Sequence, residues 1–255
     1  METTFEAIGL EIPNQIAVRN LAERAEQNGE ISQLKRNNGV WHGRCWKLGD
    51  GLEVWTVLYE TKSGEIFYAD CRPAFRPRKY AQIIAPWALT EYAEDGEAVL
   101  HGFIENTKTE ILCEVQNLTE ISASVFKEKS LKIGLCGLAY SAKIDNNQQR
   151  VWQPLKNSVR ENDWTLCGEI TNFRALKNPI SGGDLILADV CVGNFCLEVL
   201  LNKRNMRGEN LKIGATLTAD VWLQSYIIGQ NNLRYEGVDL KSANASFWRK
   251  IDRQN

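Results

Sequence analysis

Leu100-His101-Gly102-Phe103-Ile104-Glu105-Asn106 and Leu166-Cys167-Gly168-Glu169-Ile170-Thr171-Asn172 share one frame, Leu-x-Gly-x-Ile-x-Asn. Each is followed downstream by Leu-Lys-Ile-Gly, at Leu131 to Gly134 and at Leu211 to Gly214. Apolar residues at alternate positions read as strand, because successive side chains of a strand point to opposite faces. Two landmarks recurring in one order predict two related β-modules in tandem. The copies are unequal: 32 positions separate Gly102 from Gly134, and 46 separate Gly168 from Gly214. The longer copy holds the Asn178 to Asp184 turn and the basic Lys203 to Arg207 turn. Any function peculiar to one module is expected where the copies differ.

Working outward from the first copy, strands are expected at Ala98 to Glu105, Glu110 to Val115, Ile121 to Phe126 and Leu131 to Ile144. Around the second they are expected at Trp164 to Phe173, Asp184 to Val192, Phe195 to Leu201 and Leu211 to Tyr226. The polar stretches Asp145 to Arg150 and Lys156 to Asp163 separate the modules. Upstream, Ile8, Leu10 and Ile12 alternate as a strand. Val18, Leu21, Ala22 and Ala25 then form one helical stripe between Asn14 and Gly29, predicting a helix over Gln15 to Asn28. Val40 to Trp46, Leu52 to Tyr59 and Ile66 to Tyr68 read as a meander packed on that helix. Pro73 to Pro86 carries three of the six prolines and reads as a connector. The expected fold is mostly β with a small α+β N-terminal part, followed by tandem OB-like or small β-barrel modules. Its units are an α+β domain over 1–90, β-modules over 96–145 and 163–229, and a tail or short helix over 242–255.

The chain also resembles a bacterial family without an established activity. Phe5 to Gly9, Leu21 to Ala25, and Gly51, Glu53 and Trp55 match its opening strand, helix and Gly-x-Glu-x-Trp strand. Gly168, Ile170, Arg174, Asn178, Gly182, Gly193, Phe195, Gly214, Trp222 and Leu223 match its C-terminal series. The chain departs from that pattern at Pro179-Ile180-Ser181. The resemblance implies a shared fold and carries no activity with it.

Composition narrows the function classes. Thirty basic residues against 32 acidic ones give a formal charge of −2, so no global field draws the chain to nucleic acid or an anionic membrane. The N-terminus lacks a basic n-region, and no apolar run reaches the ~18 residues of a membrane helix. A cytoplasmic location is expected. Seven cysteines without a C-x-x-C read as buried free thiols rather than a disulfide framework. His42 and His101 are expected at partly exposed sheet positions, too few to build a histidine metal site. The chain has no Gly-x-Ser-x-Gly elbow, and Ser181-Gly182-Gly183 lacks the Lys and helix of a phosphate loop. No catalytic, metal or cofactor-binding residue is assigned, and no cofactor is expected.

Two basic groups remain. Arg72, Arg76, Arg78 and Lys79 are interleaved with Phe75 and Tyr80, and Lys203, Arg204 and Arg207 lie in the second module. Cations alternating with aromatics suit single-stranded nucleic acid, which OB-like modules bind by tracking phosphates and stacking bases. Eight tryptophans argue instead for packing and protein contact. The leading expectation is a non-catalytic protein-contact or self-associating protein. Nucleic-acid binding through the seven cations is the alternative, and an enzyme without a recognisable motif ranks third.

Overall fold

The computed structural model describes residues 2–92, 96–145 and 149–229, so the expected tail at 242–255 lies outside the described residues. The molecule is mostly β with few helices, in two sheets. A short helix, α1 (Glu2–Glu6), precedes α2 (Gln15–Asn28), which occupies the predicted range. Asn14 caps α2 by accepting from the Ala17 amide at 3.0 Å. Leu21, Ala22 and Ala25 form its buried stripe.

The first sheet is an antiparallel meander in the order β1 (Glu30–Arg36), β2 (Gly39–Gly49), β3 (Leu52–Thr61), β4 (Ile66–Phe75). Helix α2 packs on β2 and β3. The second sheet holds ten strands among the described residues. In chain order these are β5 (Ala81–Tyr92), β6 (Glu97–Ile104), β7 (Glu110–Val115), β8 (Leu131–Asp145) and β9 (Val151–Pro154). They continue with β10 (Asp163–Lys177), β11 (Asp184–Val192), β12 (Phe195–Asn202), β13 (Met206–Gly208) and β14 (Thr216–Ile227). Among the described residues no helix is long and apolar enough to cross a membrane.

The ten-stranded sheet closes on itself twice. Strands β5, β6 and β7 form a meander, and β7 pairs in parallel with β14 at Val115 and Ser225. Strand β14 runs antiparallel to β8, which returns to β5. In the other half β10, β11 and β12 form a meander, β12 pairs in parallel with β8 at Leu200 and Leu138, and β14 returns to β10. Both rings of pairings share the β8–β14 ladder. Strands of 15 and 12 residues are long enough to lie in one ring at one end and the other ring at the other.

The repeated frame does not follow these rings. Its first copy lies on β6, the middle strand of one meander, and its second on β10, the first strand of the other. Leu131 to Gly134 opens β8, whereas Leu211 to Gly214 precedes β14. The frame marks a local packing need. A Cβ at Gly102 would come within 2.5 Å of Ile84, and one at Gly168 within 2.6 Å of the Cys191 carbonyl.

Other expectations are corrected. Ile8 to Ile12 is not a strand: the chain turns at Gly9, with a φ of +77°, and Leu10 bonds back to Phe5. Ile121 to Phe126 falls in a region of short 3-10 turns (118–120 and 123–127). The Pro73 to Pro86 connector is the end of β4 and the start of β5. Pro73 is tolerated because its carbonyl, and hence its missing N–H, points to the outer edge of β4. Strand β5 straddles position 90, so the sheet boundary lies earlier in the chain, between β4 and β5. One core cluster fills the rings and reaches Leu34, Trp41 and Val57 of the first sheet. A second joins Phe5, Ile8 and Leu10 to α2, the first sheet and the Leu185, Leu187 and Leu200 face of β11–β12.

Candidate functional site

The seven predicted cations do not form one surface. Arg72 is buried on β4, donating through Nε to Gln116 at 2.9 Å and through Nη1 to Asp70 at 3.1 Å, with Glu114 at 3.1 Å from Nε. Arg76 is clamped between Glu53 at 2.6 Å and Glu120 at 3.1 Å, with its guanidinium 4.4 Å from the Tyr226 ring centre. Both arginines neutralise carboxylates between the two sheets. Arg78 is exposed, while its amide and that of Lys79 donate to Glu198 at 2.6 and 3.0 Å. Lys79 pairs with Asp189, Lys203 lies 4.0 Å from Asp184, and Arg204 pairs with Glu11. Arg207 is exposed on β13. Lys203 and Arg204 line a cleft of about 1080 Å³ with Arg24 and Ser181; none of Arg72, Arg76, Arg78 or Lys79 lines it.

The seam between the sheets is polar. Glu53 accepts from Trp55 at 2.9 Å and from the Tyr226 hydroxyl at 2.6 Å. Glu114 accepts from Gln116 and from the Trp222 indole, each at 3.0 Å. Gln224 donates to the Pro73 carbonyl at 3.0 Å and accepts from the Phe75 amide at 3.2 Å, standing in for a neighbouring strand at the edge of β4. Beside this network burial, and then repulsion from Glu114, pushes the Glu97 carboxyl up to about 8, against the pull of Arg72. Trp55 and Gln116 lie two positions from their partners, but the bonds that join the two sheets link residues far apart in sequence, so no local spacing announces the network.

Histidines and cysteines also depart from expectation. Both histidines are buried: strand packing covers His42, which bonds Glu60 at 2.8 Å, and His101, which bonds Thr90 at 3.0 Å. Cys191 and Cys196 stand directly opposite each other across β11–β12 and form a disulfide. The other five cysteines are free and buried.

The Asn178 to Asp184 turn, where the copies differ, grips the N-terminal segment. Asn178 donates to the Ile8 carbonyl at 2.7 Å and Ser181 to the Gly9 carbonyl at 2.6 Å. Asn202 adds a 2.7 Å bond to the Glu6 carbonyl. A Cβ at Gly183 would lie 2.6 Å from the Gly9 carbonyl oxygen, so glycine permits the approach. This turn does architectural work, closing the outer face of β11–β12 under Phe5, Ile8 and Leu10.

The outer face of β5 and β6 is open at one end: Val99 and His101 are buried on it, whereas Ile83, Trp87 and Phe103 are exposed. Ile84, Leu100 and Ile104 point into the ring, which turns Ile83, Phe103 and their neighbours outward. The β5–β6 register slips between Pro86 and Ala88, leaving Trp87 with no residue opposite. Such a bulge re-aims a side chain, and Trp87 stands 57% exposed with its ring 5.0 Å from that of His101. Phe103 at 42% and Ile83 at 39% complete the patch. Glu105, whose amide donates to the Ile83 carbonyl at 2.8 Å, and Glu110, opposite Phe103, flank it, and Glu161 lies 3.6 Å from His101. The patch is not legible in the sequence, because alternation alone does not tell which face of a strand stays uncovered. Trp152 and Trp164, by contrast, are absorbed internally, donating to the Glu110 and Leu112 carbonyls at 2.9 Å each.

No protein-family model, curated protein or solved structure matches this chain.

Proposed function

We propose that the chain is a non-catalytic protein-contact module whose contact surface is the outer face of β5 and β6. The observation that carries this reading is Trp87, lifted by a bulge beside exposed Phe103 and Ile83, on a face whose counterpart over β11–β12 is covered. Large aromatics held in water at one patch are characteristic of interface anchors. Each ring is read as an OB-like unit: a three-stranded meander whose third strand runs parallel to one long strand and whose first pairs with the other. The likeness to the bacterial family, with a cytoplasmic setting, belongs to the same reading.

Single-stranded nucleic acid ranks second. Two of its seven cations, Arg72 and Arg76, are committed to internal carboxylates, and the open aromatic face carries Glu105 and Glu110 where a polyphosphate would need cations. The test is the native size of the protein in extracts of cells that produce it. Wild type should run above 28.9 kDa, and the Trp87→Ser, Phe103→Ser double variant should run as the 28.9 kDa monomer. Wild type at monomer size, or an assembly indifferent to both substitutions, would overturn the reading.

A further inference from the structure

We propose that the Cys191–Cys196 disulfide is a thiol–disulfide exchange site, at which the chain trades its S–S bond with a dithiol. The site is separate from the β5–β6 contact face. Its basis is the order of side chains along the outer face of the β11–β12 hairpin. Alternate residues of a strand share a face, so this face carries four cross-strand rows: Leu185 with Asn202, Leu187 with Leu200, Asp189 with Glu198, and Cys191 with Cys196. The first two rows lie under the N-terminal segment. There Leu185, Leu187 and Leu200 share a core cluster with Phe5 and Ile8, and Asn202 holds the Glu6 carbonyl. The third row is buried by the turn from β4 to β5: Lys79 pairs with Asp189, and the amides of Arg78 and Lys79 donate to Glu198. The cover ends there. Cys191 and Cys196 form the last row, half-buried beside the exposed Gly193-Asn194 tip.

Of the seven cysteines, the other five are free and buried. Cys167 shares the outer face of β10 with Glu169, which stands opposite Cys191, yet its thiol is buried and donates to the Gln149 carbonyl at 2.9 Å. Nor does the hairpin need the bond for its register. Eight residue pairs, from Leu185 with Asn202 to Val192 with Phe195, already fix it. The bond spans only five positions of chain, where loop closure has least entropy to give. The reduced strands therefore keep both thiols in one row, placed to close again. Accessible disulfides are the labile, exchanging ones. A thiolate of the dithiol attacks one sulfur and expels the other as a thiolate, which takes up a proton. The second thiol of the dithiol, as thiolate, then attacks the mixed disulfide, forms its own S–S bond and frees the remaining cysteine, which also takes up a proton. Two electrons and two protons pass from the dithiol to Cys191 and Cys196, and oxidised glutathione reverses both steps.

Thiol counting by alkylation and mass spectrometry on the purified, native full chain tests the proposal. After oxidised glutathione, Cys191 and Cys196 should resist alkylation. In dithiothreitol without denaturant both should alkylate about tenfold or more faster than the five buried cysteines, which a reagent reaches only when the fold opens. Circular dichroism should show the strands intact, and returning the chain to oxidised glutathione should close the bond again. Cys191→Ser in that oxidant should hold one glutathione on Cys196, because the thiol that would expel it is gone. A protein dithiol that opens the bond faster than dithiothreitol at equal concentration marks a protein as the source; equal or slower opening marks a small dithiol. A pair that stays unbonded in oxidised glutathione, a bond that opens only in denaturant, or a reduction that unfolds the sheet would overturn the proposal. So would a Cys191→Ser chain with no adduct on Cys196.

Discussion

Gln224, with no measurable exposure, does at residue scale what a fifth strand would do for the first sheet, satisfying Pro73 and Phe75 at once. Gln224→Leu leaves a buried carbonyl and a buried amide without partners, and should lower stability by roughly 2–4 kcal/mol in urea unfolding. Glu97 gives a pH signature. Its folded value of about 8 lies above the ordinary 4.5, so the folded state holds the proton more tightly. The stability this supplies is fully present below 4.5 and is lost as pH rises through 8. Glu97 faces Glu114, Asp70, Arg72 and Arg160 across this site. Glu97→Gln should therefore flatten the decline in melting temperature across that window, and an unchanged profile would count against the assignment. Arg72 and Arg76 show why residue roles were hidden in the chain. Glu114 and Glu120 are reached only when the two sheets dock, and Glu53 only when β3 pairs with β4.

Elements with a strong local period were legible. Helix α2 carries its own cap and stripe, and β7 and β11 stand at their expected bounds, Glu110–Val115 and Asp184–Val192. The failures have a common cause, which is alternation without a ladder partner. Ile8 and Leu10 are buried, yet the carbonyls of Ile8 and Gly9 are taken by the side chains of Asn178 and Ser181. Asn178→Ala should cost about 1–3 kcal/mol by removing a buried bond. It should also raise amide exchange in residues 5–10 more than in the β8–β14 ladder. Gly183→Ala should act in the same place, because its new methyl group meets the Gly9 carbonyl. Equal loss of protection everywhere would mean that the turn does not hold this segment in particular.

At the scale of the molecule, two rings of pairings share one long ladder, and the first sheet covers part of their outside through a polar seam. A duplicated construction was suggested by the Leu-x-Gly-x-Ile-x-Asn frame, but the pairings recur out of step with that frame. Parallel closures such as Glu114 with Gln224 join strands too distant for any local pattern to reveal. The same covering pattern leaves one aromatic face open, and that face is the core of the functional account. The most direct test places a photoreactive phenylalanine analogue at Trp87 and maps its adducts by mass spectrometry. Attachment to a partner polypeptide is expected from position 87, with little adduct from the same probe at exposed Phe173. Adducts absent at position 87, or equally abundant from position 173, would contradict it.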